Sequence, residues 1–190
     1  VMLLGDGMIG QMMEPVEFKD PPKRDLPPKD WATDGTKGKR APNIINSLRL
    51  DPAELEELNI HLQEKYQKMR ENEVRYEMFK TEDAEFVFVS YGTASRVVKN
   101  AILQLREKGV KAGLIRPISL WPFPYNAFDG LPDSVRALMS VEMSHGQMLD
   151  DVKIAANGRW PVGFHGRSGG MIPTEAEVVE ACEGMIAEVK

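Results

Sequence analysis

The spacing of apolar residues along the chain changes twice, which divides it into three stretches. Residues 1–50 keep no regular period: Val1 to Leu4 predict the end of a strand, and prolines set among charged residues follow. Proline lacks an amide donor and is excluded from helix interiors and central strands, so the rest of this stretch predicts an extended linker. Trp31, Ile44 and Ile45 are the apolar anchors that we expect along it.

Residues 51–83 predict a connecting segment in which a long helix runs to about residue 80. Asp51 is a suitable N-cap, and Pro52 suits the first helical position. An apolar stripe with spacings of three and four comprises Leu55, Leu58, Leu62, Tyr66 and Met69. The stripe is narrow and the other faces are charged, so packing on its own domain and bridging to another domain or subunit both remain open.

From residue 84 onward, short apolar runs alternate with helical patterns. Strands are predicted at residues 86–91, 111–115, 138–143 and 161–164, and helices begin near residues 93, 146 and 174. Alternating strands and helices favour a parallel sheet covered on both faces. We therefore expect residues 84–190 to form an α/β domain with an open, mostly parallel sheet of about five strands.

Composition and charge narrow the function without naming it. The hydrophobic fraction of 42% and the three tryptophans fit a globular protein, and the net charge of −5 gives no basic field for nucleic acid or anionic lipid. No apolar run approaches the length of a membrane span, so neither nucleic acid nor membrane is predicted as a partner. The absence of an initiating methionine and the strand-like opening lead us to expect part of a longer chain.

Cysteine and histidine usage predicts no metal centre. Cys182 is the single cysteine, so this chain has no internal disulfide and no usual thiolate set for an iron–sulfur cluster. Its helical setting predicts a small buried residue rather than a reactive thiol, and a reducing cytoplasmic location is the corresponding expectation. The scattered His61, His145 and His165 do not have zinc-site spacing.

The glycine-rich segment at residues 5–10 has the spacing of two cofactor motifs. As a dinucleotide fingerprint it lacks a following helix, because Pro15 and the proline-rich stretch come too soon. As a metal–thiamine diphosphate motif it would need an asparagine about 25–30 residues after Asp6. The first asparagine is Asn43, beyond that window, so neither complete site is predicted.

Two glycine-containing turns follow predicted strands and are candidate anion sites. Amides at a helix start attract anions, and ligands of open parallel sheets collect where strands end. For the first turn, an ordinary N-cap formed by Thr93 is the alternative, and the second turn has the same ambiguity. The candidate anion-binding residues are Gly92, Thr93, Ala94, Ser95, Arg167, Gly169 and Gly170.

Further candidates concern an interface rather than chemistry. Glu142 and His145 could transfer a proton, but no nucleophile or metal set accompanies them, which favours structural hydrogen bonding or an interface role. Trp121 and Phe123 alternate with prolines in a stiff loop. Their rings could pack either in a subunit interface or in the domain's own core. Gln147 is a further candidate interface residue, and no catalytic residue is predicted.

Five blocks of sequence, in order, closely resemble the 2-oxoacid:ferredoxin oxidoreductases, above all the α-type subunit of the 2-oxoisovalerate and 2-oxoglutarate enzymes. The loop of Trp121 and Phe123 has the same resemblance. The blocks are Gly5 to Pro15, Ser90 to Arg96, Val141 to Met143, Gly146 to Met148 with Asp151 and Val152, and Gly166 to Gly170.

The resemblance implies a transketolase C-terminal-like domain at residues 84–190, preceded at residues 1–50 by the end of a pyrimidine-binding domain and a linker. It implies a structural and assembly role in an enzyme that converts a branched-chain 2-oxoacid such as 3-methyl-2-oxobutanoate to an acyl-CoA and reduces ferredoxin. Thiamine diphosphate, magnesium, iron–sulfur clusters and coenzyme A would belong to the complex and not to this chain. The implied partners are a pyrophosphate-binding β-type subunit, a γ-type subunit and a ferredoxin-like δ-type subunit, in an oligomer.

Two other functions remain open. The same fold ends the β-type subunit of NAD-linked 2-oxoacid dehydrogenases, although the segments around Trp121 and Gln147 speak against that assignment. A module that binds coenzyme A or another anion is the second alternative.

Overall fold

The computed structural model describes residues 1–189, which divide into two units. One unit is Met13–Lys65, and the other combines residues 1–12 with residues 66 onward. The first unit has no helix or strand before residue 52, and the assignment of residues 1–50 to a domain end and linker stays a prediction. Its exposed apolar side chains include Val16, Phe18, Leu26, Trp31, Ile44, Ile45 and Leu48.

The predicted strand at Val1–Leu4 is wrong. These residues pair with no other strand in the part of the chain that the structure describes, and a strand needs such a partner for its backbone groups. The segment instead contains a short 3₁₀ turn at Ile9–Gln11.

Helix α1 spans Pro52–Asn72, and Asp51 is its N-cap as predicted. The Asp51 carboxylate accepts hydrogen bonds from the amides of Ala53 (2.9 Å) and Glu54 (3.0 Å). No residue of α1 is fully buried, so its apolar stripe stays partly exposed.

The predicted extension of α1 to about residue 80 is wrong, because the backbone amide and carbonyl groups after Asn72 form hydrogen bonds with residues distant in sequence. The Arg75 amide donates to Ser119 Oγ at 2.9 Å, and the Arg75 carbonyl accepts from the amides of Ile118 and Ser119. Strand β1, Tyr76–Phe79, follows at once.

The sheet has five strands: β1, then β2 at Phe86–Val89, β3 at Ala112–Pro117, β4 at Ala137–Glu142 and β5 at Val162–Gly166. Their order is β1-β3-β2-β4-β5, with β1 antiparallel to β3 and the other pairs parallel. The mostly parallel sheet is therefore confirmed.

Helices cover both faces of the sheet, as predicted. They are α2 at Gly92–Glu107, α3 at Gln147–Ala156 and α4 at Glu175–Val189. Side chains alternate between faces in β2: Phe86 and Phe88 pack in a core with α2 and α4, whereas Val87 and Val89 pack in a second core with α3.

Helix α4 begins with a reciprocal cap. Thr174 Oγ1 accepts from the Glu177 amide at 3.3 Å, and the Glu177 carboxylate accepts from the Thr174 amide at 2.8 Å. Cys182, within this helix, is fully buried, and burial raises the pKa of its thiol to about 12, with a smaller effect from Glu183. The buried assignment is confirmed, and the thiolate needed for reactivity is strongly disfavoured.

Within residues 1–189, no helix combines the length and apolar character that crossing a bilayer would require.

Candidate functional site at the carboxyl edge of the sheet

Three loops meet where β2, β4 and β5 end, and we call this region the carboxyl edge. Neighbouring strands bring the loops together: Ser90 Oγ donates to the Val141 carbonyl at 2.8 Å, and the Arg167 amide donates to the Glu142 carbonyl at 3.1 Å. Both predicted glycine turns and Glu142 therefore lie at the same edge.

The loop after β2 turns directly into α2. Gly92 has a φ of +57°, a conformation that favours glycine, and it is the first residue of the helix. Thr93 lies inside the helix and is not the cap, so the alternative that it forms an ordinary N-cap is wrong. Ser95 Oγ donates to the Gly92 carbonyl at 2.7 Å, and the N-cap residue Tyr91 makes no side-chain hydrogen bond to the first turn.

Glu142 is the central group of the loop after β4, and its side chain is fully buried. Its carboxylate accepts three hydrogen bonds, from Ser140 Oγ (2.8 Å), Ser144 Oγ (2.7 Å) and the Met148 amide (3.0 Å). The last bond places the carboxylate at the start of α3, where negative charge is favoured. Glu142 therefore holds the β4–α3 loop in place from within.

The charge of Glu142 also affects the pKa of Tyr91. The pKa of Tyr91 is raised above its ordinary value, mainly because the side chain is partly buried and further because of the negative charge on Glu142.

His145 and Gln147 lie on the outside of the same loop and are exposed. His145 Nε2 is 2.9 Å from Ser168 Oγ, a contact that joins the loops after β4 and β5. The proposed His145–Glu142 proton-transfer pair is not formed, since their hydrogen bonds go to different partners. This geometry agrees with structural hydrogen bonding.

The loop after β5 contains the other candidate anion residues. The Arg167 guanidinium forms an ion pair with Glu177, and the Thr174 amide and the Arg167 charge both contribute to a lowered Glu177 pKa, in that order. Gly169 and Gly170 are exposed and have φ values of +65° and +88°. The candidate cation of this turn is therefore already paired.

Trp121 and Phe123 have different environments, although they are close in sequence. Phe123 is only 5% exposed and packs with Phe128 in the core below α3, so its assignment to an interface is wrong. Trp121 is 52% exposed and stacks edge-on against Tyr66 at 5.5 Å, with the Arg70 guanidinium 6.0 Å from its ring. Full burial likewise removes Glu142 from the candidate interface residues.

Sequence reasoning missed the hydroxyl partners of Glu142, although a signal was present. Ser140 and Glu142 are two apart in an otherwise apolar strand, and Ser144 continues the same spacing just beyond the strand end. Side chains two apart on a strand share a face, so this pattern indicates a buried polar network.

The described residues do not fit a thiamine diphosphate–magnesium site. Asp6, the one carboxylate of the glycine motif, accepts a hydrogen bond from the Ile9 amide at 2.9 Å and belongs to a 3₁₀ turn. Across residues 1–189 no three side chains of the His, Cys, Asp and Glu types are grouped as metal ligands.

Comparison with known proteins decides the family. The family described as "Pyruvate:ferredoxin oxidoreductase core domain II" matches residues 84–178, which cover strands β2 to β5, helices α2 and α3 and the start of α4. The chain belongs to the 2-oxoacid:ferredoxin oxidoreductase family. The resemblance seen in the sequence is thereby confirmed.

Curated relatives of this chain include two subunits named VorB. The ketoisovalerate oxidoreductase subunit VorB of Methanothermobacter marburgensis is 45% identical over 84% of this chain and 45% of its own length. The subunit of the same name from Methanothermobacter thermautotrophicus is 42% identical over 95% of this chain and 51% of its own length. The chain thus spans about half the length of these relatives.

Solved structures support the fold of this chain. The 2-oxoglutarate:ferredoxin oxidoreductase from Magnetococcus marinus aligns with a TM-score of 0.61 over 73% of this chain and 24% of its own, at 19% identity. A split-gene transketolase aligns with a TM-score of 0.50 over 61% of this chain and 42% of its own, at 15% identity. At these identities the likeness establishes the fold alone, and it confirms the transketolase C-terminal-like architecture.

Proposed function

We propose that the chain is the C-terminal structural and assembly domain of a thiamine diphosphate-dependent 2-oxoacid:ferredoxin oxidoreductase. The enzyme would decarboxylate a branched-chain 2-oxoacid such as 3-methyl-2-oxobutanoate, transfer the acyl group to coenzyme A and pass the electrons to ferredoxin. The substrate assignment is supported by the two VorB relatives, which are named as ketoisovalerate oxidoreductase subunits.

The carboxyl edge is the observation that carries the structural role. Glu142, Arg167 and His145 are each engaged by residues that order the loops of this domain. Groups held in this way stabilise the fold, whereas a catalytic acid or base must reach a substrate proton. Thiamine diphosphate, magnesium, coenzyme A and the iron–sulfur clusters would therefore be bound by other parts of the complex.

Partner subunits would cover apolar groups that this chain leaves exposed. We assign this role to residues 13–50, where Ile44 is 90% exposed and Ile45 73% exposed. The expected partners are the β-type pyrophosphate-binding, γ-type and δ-type subunits of a cytoplasmic oligomer. Trp121, His145 and Gln147 remain candidate contact residues on the second unit.

We expect no binding when the chain is titrated calorimetrically with thiamine diphosphate and Mg²⁺. The reason is that Asp6 is engaged by the Ile9 amide and no second ligand lies in its motif. Saturable binding at micromolar concentrations would contradict the assignment of the cofactor to other parts of the complex.

The assembly role predicts that charges at Ile44 and Ile45 prevent association. The double change Ile44→Asp with Ile45→Asp should abolish co-purification with co-expressed partner subunits, because it would bury two unpaired carboxylates. Lys37→Asp with Lys39→Asp is the matched control in the same exposed segment and should leave recovery nearly unchanged. Circular dichroism should show an unchanged fold in both variants, and equal recovery of both would contradict the contact.

A further inference from the structure

Helix α2 begins without a cap from its own loop. The residue before it, Tyr91, makes no side-chain hydrogen bond to the first turn, and that turn contains no acidic residue. The first amides of a helix have no partner within the helix, and Thr93 and Ala94 are buried from water, whereas the Ser95 amide donates to the Tyr91 carbonyl at 3.3 Å. An acceptor from elsewhere in the fold is therefore needed.

The Asp6 carboxylate lies at this position. Its Oδ2 is 3.9 Å from the point that a Cβ on Gly92 would occupy, and its Oδ1 accepts from the Ile9 amide at 2.9 Å. The pKa of Asp6 is lowered, first by the Ile9 amide and then by Thr93 through its side chain and amide, against an opposing effect of burial. One carboxylate thus faces the 3₁₀ turn and the start of α2 together.

The Thr93 hydroxyl is a second, independent observation at the start of α2. Thr93 is only 6% exposed, and its Oγ1 forms no hydrogen bond of standard length and angle among the described residues. Its effect on Asp6 therefore acts over a longer distance. A buried hydroxyl without such a bond, beside uncapped amides, is suited to an oxyanion that approaches more closely.

A second contact joins the same two parts of the chain. Arg96, one turn into α2, places Nη1 3.8 Å from the sulfur of Met12. The segment that contains Asp6 thus lies next to α2 at two points.

Helix α3 shows that a carboxylate outside the N-cap position can accept from the first turn of a helix in this fold. Its N-cap residue, Gly146, has no side chain to offer, and Glu142 accepts the hydrogen bond from the Met148 amide. Asp6 lies at the start of α2 as Glu142 lies at the start of α3.

We propose that the start of α2 is an oxyanion site whose resident ligand is the Asp6 carboxylate. In this arrangement Asp6 caps α2 and fastens residues 6–12 to the carboxyl edge of the sheet. Removal of the carboxylate releases the segment and opens the site to a small oxyanion such as inorganic phosphate.

The test follows backbone amides by NMR during a phosphate titration of the wild type, Asp6→Ala and Asp6→Asn. In Asp6→Ala, residues 6–12 become mobile, and the amides of Thr93 and Ala94 shift saturably with phosphate. The midpoint should be at least about tenfold lower than in the wild type, since the internal carboxylate no longer competes. Asp6→Asn keeps the shape of the side chain and lacks its charge. If the alanine variant folds poorly, the asparagine variant should show the same mobility and the same phosphate response.

Asp20→Asn is the matched control, because it removes the same charge from an exposed position in the other unit. It should behave as the wild type does. The proposal is overturned if phosphate gives the same midpoint with and without Asp6, if Thr93 and Ala94 do not respond in the Asp6 variants, or if residues 6–12 stay ordered in them.

Discussion

Phe123→Ala is expected to lower the free energy of unfolding by about 3–5 kcal/mol, as removal of a buried aromatic ring does. The Phe123 ring packs against Phe128 at a centroid distance of 6.1 Å and against Tyr125 at 5.1 Å, inside the core below α3. Its removal leaves a cavity that the sheet and α3 cannot fill without distortion. Urea denaturation followed by circular dichroism measures the loss.

Trp121→Ala is the matched control, because it removes a larger ring two positions away. That ring is half exposed, and its contacts with Tyr66 and Arg70 are worth about 1 kcal/mol. A loss for Trp121→Ala as large as that for Phe123→Ala would contradict the assignment of Phe123 alone to the core.

Glu142→Ala is expected to cost about 3 kcal/mol or more, because three donors lose their acceptor in the interior. The serine hydroxyls can rotate to other acceptors, but the Met148 amide is fixed at the start of α3. Glu142→Gln should cost less, since its amide oxygen can still accept from Met148 while its NH₂ group donates to a serine. The free energy of unfolding of each variant gives the comparison.

Two further measurements separate this role from a general effect of charge. Glu180→Gln removes a carboxylate from the exposed face of α4 and should change stability little. In Glu142→Gln the pKa of Tyr91 should fall relative to the wild type, yet stay above its ordinary value because burial is the larger cause. Equal stability of Glu142→Ala and Glu180→Gln would show that the buried network does not order the loop.

The strands and helices of the α/β domain could be predicted because their local patterns agree with their burial. In β2 every residue is apolar and buried, and α2 repeats Val98, Ala101, Ile102 and Leu105 toward the core. Strand β1 could not be predicted, because Tyr76–Phe79 follows α1 with no proline or glycine between them. Its strand geometry depends on Ser119 and on pairing with β3, which are distant in sequence.

The carboxyl edge was only partly predictable for the same reason. The glycine turns and Glu142 are visible in the sequence at strand ends, and the structure places them together. The caps of α2 and α3 are not visible, because a capping rule examines the residue just before a helix. The carboxylate at α3 comes from Glu142, four positions before Gly146, and the cap that we propose for α2 comes from Asp6, far away in sequence.

Phe123 shows a different limit of prediction from sequence. Its proline neighbours indicate a rigid loop, but rigidity says nothing about the direction in which the rings point. The burial of Phe123 and the exposure of Trp121 are decided by which of them faces Phe128 and α3, a property of the folded loop.

The antiparallel strand β1 has a consequence for aggregation. An uncovered edge strand is a template on which another chain can add by backbone hydrogen bonds. β1 presents only four residues, and its Glu77 binds Lys99 at 2.5 Å and Arg116 at 3.0 Å, so an added strand would have to desolvate charged groups. Without β1 the edge would be β3, where Leu114 and Ile115 are fully buried. A chain cut between α1 and β2 would therefore keep its core and lose its protection against self-association.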